Sequence, residues 1–278
     1  MNFALNTSPH HCSWDWLLEV WQRADQIELY ESAWTFDHFH SPTEDTDADN
    51  LEGWITLTAL LQATERIRGG VLVSGMLYRH PAVLANMAST LDITSKGRLE
   101  VGIGVGWSED ECDAYGIYLG TMKERFGRFE EGLEVIELLL TQERSNFVGN
   151  WYTLRDAMNN PKGVQDPLPI CIGGAGLKRT IPAVAKFGHH WNYIHPNESI
   201  DDFKMRYQIL IDSCNEIDRD PQEILISKKL SYSGDISKIF QEIEDYAAVG
   251  VGLGFITLSK TEPPEMVEVI AEELSKRY

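Results

Sequence analysis

At 278 residues, with 43% apolar and 24% charged residues, the chain has the composition of an ordinary globular protein and the length of one α/β barrel with insertions. Its formal net charge is −19 and no block of lysines and arginines offsets it, which argues against nucleic acid or an anionic membrane as partner. An anionic ligand must find a local exception made of amides and a few cations.

Phe3 to Asn6 reads as a short first strand. Ser13 then caps a helix over 14–26, with Trp14, Leu17, Leu18 and Trp21 at helical spacing. A second strand, Ser32 to Phe36, ends in Asp37-His38. The acidic 41–50 loop that follows (Glu44, Asp45, Asp47, Asp49) has the composition of a mobile, solvated lid. A helix over Gly53 to Thr64 leads to a third strand, Gly70 to Ser74, and Pro81 opens the helix that runs to about Thr94.

A turn at Lys96-Gly97 releases the fourth strand, Leu99 to Ile103, with apolar side chains at alternate positions. It runs into Gly102, Gly104 and Gly106, where backbone can approach backbone or a ligand closely. Ser108 is a plausible N-cap, with Glu109, Asp110 and Glu111 in the first turn of the next helix. Glu109 therefore lies just past the carboxyl end of a strand, among glycines that leave room for a flat ring. The alternative is a strand whose glycines serve tight packing alone. The spacing G-x-G-x-G-W-x-E is not that of a dinucleotide fingerprint.

Residues 122–141 form a longer helix, and Phe147 to Tyr152 reads as a hairpin with a two-residue Gly149-Asn150 turn. That hairpin and the Pro-rich 155–169 loop interrupt the alternation as insertions. Strand five is Ile170 to Ile172, joined by Gly173-Gly174-Ala175-Gly176 to a helix starting near Leu177. Strands near 191–194, 224–231 and 254–258 alternate with helices near 199–215, 236–249 and 264–277. Eight strand–helix pairs in series imply a single α/β domain over 1–278, a (β/α)8 TIM barrel with insertions after strands two and four.

The carboxyl ends of such strands meet at one face. That brings Asn6, Asp37-His38, Ser74-Gly75, Gly104 to Glu109, Gly173 to Gly176, Asn192 with His195, and Thr257 around one mouth. His38 is either a proton-transfer group or a histidine that hydrogen-bonds across the barrel. Gly173 to Gly176, with Lys178 and Arg179 one turn on, is either an anion site of free amides or a tight turn. Asp37 and Glu109 would suit a two-carboxylate hydrolase, while Asp37 suits a buried hydrogen-bonding role equally. His10, His11 and Cys12 have no second ligand cluster at metal spacing, so no metal is expected. The four cysteines are widely spaced and the first residues carry no cationic, apolar leader, which together lead us to expect a cytoplasmic protein with reduced thiols.

Trp34-Thr35-Phe36-Asp37-His38 resembles the W-x-x-D-H segment of the luciferase-like flavin and deazaflavin oxidoreductases. Thr64-Glu65-Arg66-Ile67-Arg68, Arg79-His80-Pro81, the run from Gly97-Arg98 to Trp107-Ser108-Glu109, Asn160-Pro161-Lys162, Ile172 to Gly176 and Trp191-Asn192 continue the likeness in order, over roughly residues 3 to 230.

This resemblance implies a luciferase-like barrel that binds the deazaflavin coenzyme F420 or, alternatively, reduced FMN. It implies hydride transfer to or from a small organic substrate, with His38, Glu109 and Asp37 as catalytic candidates. Asn6, Val73, Ser74, Gly75, Gly104, Gly106, Trp107, Gly173, Gly174, Ala175, Gly176 and Arg179 become candidate cofactor contacts. The family's non-prolyl cis peptide behind the ring falls here at Val73-Ser74 or one residue later. A homodimer is implied, and a separate flavin or F420 reductase is a possible partner. The rival readings are a two-component FMN monooxygenase and a catalytically silent flavin carrier.

Overall fold

The computed structural model describes residues 1–41, 46–196 and 199–278. In chain order the strands are β1 (Asn2–Asn6), β2 (Tyr30–Thr35), β3 (Arg68–Val71), β4 (Ser74–Gly75), β5 (Leu99–Gly104), β6 (Ser145–Val148), β7 (Thr153–Ala157), β8 (Ile170–Gly173), β9 (His190–Tyr193), β10 (Leu225–Lys229) and β11 (Leu253–Thr257). The helices are α1 (Trp14–Asp25), α2 (Gly53–Gln62), α3 (Pro81–Thr94), α4 (Glu109–Tyr115), α5 (Met122–Thr141), α6 (Thr180–Phe187), α7 (Ile200–Asn215), α8 (Phe240–Ala247) and α9 (Met266–Leu274).

All barrel strands pair in parallel, in the order β3-β2-β1-β11-β10-β9-β8-β5, and β5 returns to β3 to close an eight-stranded ring. β4 continues the third barrel strand after a break and pairs with β5 through Ser74↔Ile103 and Gly75↔Gly104. Because side chains alternate across a strand, each strand serves two cores. Ala4, Trp34, Cys171, Leu253 and Phe255 pack inside the barrel. Phe3, Leu5, Val101, Ile103, Ile172, Trp191 and Ile226 face the helix layer. Burying a large side chain of this kind contributes roughly 1.5–3 kcal/mol.

The floor of the barrel explains two of the sequence motifs. Asp25, at the end of α1, accepts the amides of Glu65, Arg66 and Ile67 at 2.9, 2.8 and 2.7 Å. The Arg66 guanidinium donates to the carbonyls of Ala24, Asp25, Ile27 and Tyr30. Arg98 does the same for Leu61, Thr64, Ser95 and Ile67. These residues satisfy loop carbonyls and amides at the amino end of the strands, far from the mouth.

Several boundaries differ from the sequence reading. The β6–β7 hairpin closes over residues 149–152, with the Gly149 amide donating to the Tyr152 carbonyl at 2.9 Å, not over Gly149-Asn150 alone. The longer loop presents the Asn150, Trp151 and Tyr152 amides to Glu131 on α5. α6 begins at Thr180, three residues later than expected, because Leu177 to Arg179 form a turn first. The helix near 236–249 is split into a short 3-10 segment, Ile236–Ile239, and α8. The non-prolyl cis peptide lies at Leu72-Val73, one residue earlier than placed from the resemblance. Of the expected 41–50 lid, residues 42–45 lie outside the described residues, and Asn50 forms a bridge with His10.

Candidate active site

The mouth is built where β2, the β3–β4 break and the β5–α4 turn meet. After β2 the chain turns at Asp37-His38-Phe39, and Asn50 fixes it by donating from Nδ2 to the His38 carbonyl at 2.6 Å. Asp37 is buried and ion-paired to Arg79, which also holds Glu52, the N-cap of α2. Burial raises the Asp37 pKa against the opposing pull of Arg79 and of the Ser74 hydroxyl. Ser74 is tied in turn by the Trp54 indole N–H at 2.6 Å. Asp37 and Ser74 are thus brought to the site, but as the struts that lock the second strand's end to the third strand's break.

His38, next in the chain, is partly exposed. Its Nδ1 lies 2.8 Å from Oε2 of Glu111, whose side chain is fully buried. Glu111 also accepts the Tyr78 hydroxyl and the Phe39 amide. Burial alone would raise the Glu111 pKa, but hydrogen bonds from His38, Tyr78 and Phe39 reverse this and hold it below the usual carboxylate value. A carboxylate only accepts, so His38 Nδ1 carries a proton and Nε2 is the atom free to exchange one. The imidazole is packed edge-on against Phe36 at 5.1 Å and against Trp107 at 5.6 Å, and Trp107 is 59% exposed.

Glu109, the carboxylate singled out from the sequence, opens α4 on its exposed side. At 100° per residue, a position two residues on faces nearly the opposite way. Ser108, Glu111 and Cys112 form the buried face instead, and that i, i+3, i+4 spacing was the sequence signal for Glu111. Ser108 occupies the N-cap position without a side-chain capping bond.

The glycines at the strand ends clear space for the break in the third strand. A Cβ on Gly104 would meet Val73 Cγ2 at 2.6 Å, one on Gly173 would meet Val73 Cγ1 at 3.1 Å, and one on Gly102 would collide with the Val71 carbonyl. The row of glycines on β5 and β8 therefore admits Val73, which stands partly exposed at the mouth with Leu72. Gly106 has φ +85° and closes on Leu77, and Gly75 lies against the Tyr78 ring.

Across the ring, the turn after β8 is only partly a set of free amides. The Gly174 amide, at φ +117°, donates to the Asn192 carbonyl at 3.1 Å, while its carbonyl receives the Trp191 indole at 2.7 Å. Ala175 and Gly176 donate to no backbone carbonyl among the described residues. Arg179 is gripped by Glu130, with Nε and Nη2 at 2.6 and 2.5 Å from its two oxygens, over the Phe126 ring. Asn6 bonds Thr257 at 3.2 Å at the strand ends, and the buried Asn192 bonds the buried Ser227 inside the barrel at 3.0 Å. No group of three or more His, Cys, Asp or Glu side chains among the described residues is placed to hold a metal, and no helix among them is long and apolar enough to cross a membrane.

Residues 1–234 match the family model described as luciferase-like monooxygenase. Over 173 residues, 62% of this chain and 49% of the relative, the chain is 33% identical to an F420-dependent glucose-6-phosphate dehydrogenase of Amycolatopsis mediterranei (strain U-32). Over 126 residues, 45% of this chain and 37% of the relative, it is 32% identical to a pyrimidine monooxygenase of Cronobacter sakazakii (strain ATCC BAA-894). The chain spans about half the length of the curated relatives it matches. A solved F420-dependent secondary alcohol dehydrogenase, in complex with an F420–acetone adduct, superposes with a TM-score of 0.86 over 98% of this chain and 97% of that one, at 18% identity. At that identity the likeness speaks to the fold.

Proposed function

This chain belongs to the luciferase-like monooxygenase family, a family of F420- and flavin-dependent oxidoreductases, and we propose that it transfers a hydride between coenzyme F420 and a small organic substrate. The observation that carries the reading is His38, with Nδ1 committed to Glu111 and Nε2 left for the mouth, beside the partly exposed Leu72-Val73 break.

The mouth fits a flat ring with an anionic tail. Leu72 and Val73 supply an apolar backing that the facing glycines leave uncrowded. Ala175 and Gly176 supply amides ahead of α6, where a phosphate is favoured by the helix dipole. Arg179, held by Glu130 through Nε and Nη2, keeps Nη1 for such a phosphate. The cofactor, when bound, supplies the two-electron chemistry. The protein's share is position, exclusion of water by the Phe36, Phe39 and Trp107 rings, and a proton. His38 Nε2 takes a proton from the substrate as it is oxidised, or returns it in the reverse direction. Glu111 keeps the imidazole oriented and stabilises it while it is charged, and Tyr78 and the Phe39 amide keep Glu111 ionised.

The similarity to a pyrimidine monooxygenase supports a second reading, in which reduced FMN and oxygen replace F420. Turnover separates the two. Incubated anaerobically with oxidised F420 and a panel of small alcohols, the protein should bleach the deazaflavin absorbance with at least one of them. Turnover seen only with reduced FMN and oxygen would instead establish the monooxygenase.

A further inference from the structure

β10 carries two lysines in succession, and strand alternation sends them to opposite sides. Lys228 points out of the barrel. It is 1% exposed, donates to Glu242 of α8 at 2.7 Å and stands over the Tyr246 ring. Leu225 and Ser227 point in, since Leu225 packs on the interior cluster and Ser227 bonds His190, which stacks on the interior Phe255, and Asn192 on the neighbouring β9. Lys229 continues that inward row at the last residue of the strand, in register with Phe255, which is interior and fully buried. Yet Lys229 is exposed. An inward position on the last residue of a barrel strand is exposed only through the open mouth.

No ion pair or side-chain hydrogen bond engages the Lys229 ammonium among the described residues. Nearby arginines are differently placed: Arg79 is held by Asp37 and Glu52, Arg179 by Glu130 and Arg206 by Asp202. In a chain of net charge −19, an uncompensated cation in the mouth is a local exception to the field. Its position is specific too. β10 lies four strands from β3 in either direction round the closed ring, so Lys229 faces the Leu72-Val73 break across the full width of the mouth. The Ala175–Gly176 turn belongs to β8, two strands away. Beside Lys229 stand Asn192 on β9 and the hydrogen-bonded Asn6 and Thr257 on β1 and β11.

We propose that Lys229 is the anion-recognition residue of the substrate subsite, taking a carboxylate or phosphate carried by the substrate against the wall opposite the break. The proposal rests on the reading of the break as the backing of the cofactor ring, since a ring there leaves the β10–β11–β1 wall to the substrate. An ammonium suits this task as a point charge that tolerates either anion geometry.

The test uses inorganic phosphate and acetate as probes of the full chain, by calorimetric titration with and without F420, beside a fluorescence titration with F420 itself. Wild type should bind at least one probe, Lys229→Met should weaken it by about tenfold or more, and Lys229→Arg should restore it to within about threefold. F420 affinity should stay within about threefold throughout, as should the thermal midpoint, because the side chain is exposed. Equal probe binding by wild type and Lys229→Met, or none by wild type, overturns the proposal. A tenfold loss of F420 affinity in Lys229→Met overturns it as well, by assigning the lysine to the cofactor. If wild type fails to bind F420 while probe binding still depends on Lys229, the cofactor reading falls and the anion subsite stands.

Discussion

Glu111 holds the His38 imidazole at Nδ1, while the neighbouring acid Glu109 lies on the exposed side of α4, so variants of the three residues separate their roles. His38→Ala should lower turnover by roughly 10²–10⁴-fold while the F420 dissociation constant stays within about threefold. Glu111→Gln keeps the shape but turns an acceptor-only group into one that donates, so the tautomer of His38 is no longer imposed. A loss of about 10²-fold or more in kcat is expected, with KM little changed. Glu109→Gln, on the exposed side of α4, should leave kcat within about twofold. Steady-state kinetics of the three variants checks the ranking. Equal losses for the two glutamines would return the acid role to Glu109, and full turnover in His38→Ala would make His38 structural. The sequence shows three acids in a row, Glu109-Asp110-Glu111, and proximity to the glycines favoured the first. Helical phase favours the third, because it shares a face with Ser108 and Cys112.

At the scale of elements, strands and helices were legible wherever a period or a cap was written into the chain. α3 starts at Pro81 and α5 at its Thr121–Glu124 capping box, as local chemistry dictates. The break between β3 and β4 and the wider hairpin loop were misplaced because their partners lie elsewhere in the sequence: Gly102, Gly104 and Gly173 for Val73, and Glu131 for the hairpin amides. Gly104→Val tests the first of these. Its side chain overlaps Val73 and should cost about 1–3 kcal/mol in denaturant unfolding, with F420 affinity falling in parallel. Normal affinity at normal stability would mean the break does not depend on the glycine row. The floor motif makes a contrasting prediction. Asp25→Ala leaves three amides without their acceptor and should cost about 3 kcal/mol or more, with no change in F420 affinity per folded molecule. A smaller loss would show that water replaces the carboxylate.

At the scale of the whole molecule, the buried His190–Glu100 pair sets a pH dependence. Inside the barrel His190 bonds Glu100 at 3.1 Å and Ser227 at 2.6 Å, and Glu100 reaches Arg68 at 3.2 Å. Burial works against charging His190, but the Cys171 sulfur and the Glu100 carboxylate beside it push its pKa up to about 10. The folded protein therefore keeps a proton that the unfolded chain releases near the ordinary histidine value of about 6.5. The resulting stability is complete below about pH 6.5 and is lost as pH rises through about 10. The wild-type thermal midpoint should fall across that window, and Glu100→Gln, which removes the carboxylate, should flatten the fall. An equal slope in both proteins would place the linkage elsewhere.

The mouth of the barrel combines His38, an apolar break and two amides ahead of α6, the features on which the proposed cofactor choice rests. Direct titration of the intact chain with F420 and with FMN, followed by the fluorescence of each, tests that combination at once. Saturable binding of F420 with a dissociation constant at least about tenfold below that of FMN is the expected result. Tighter binding of FMN, or no change in F420 fluorescence at any protein concentration, would contradict it.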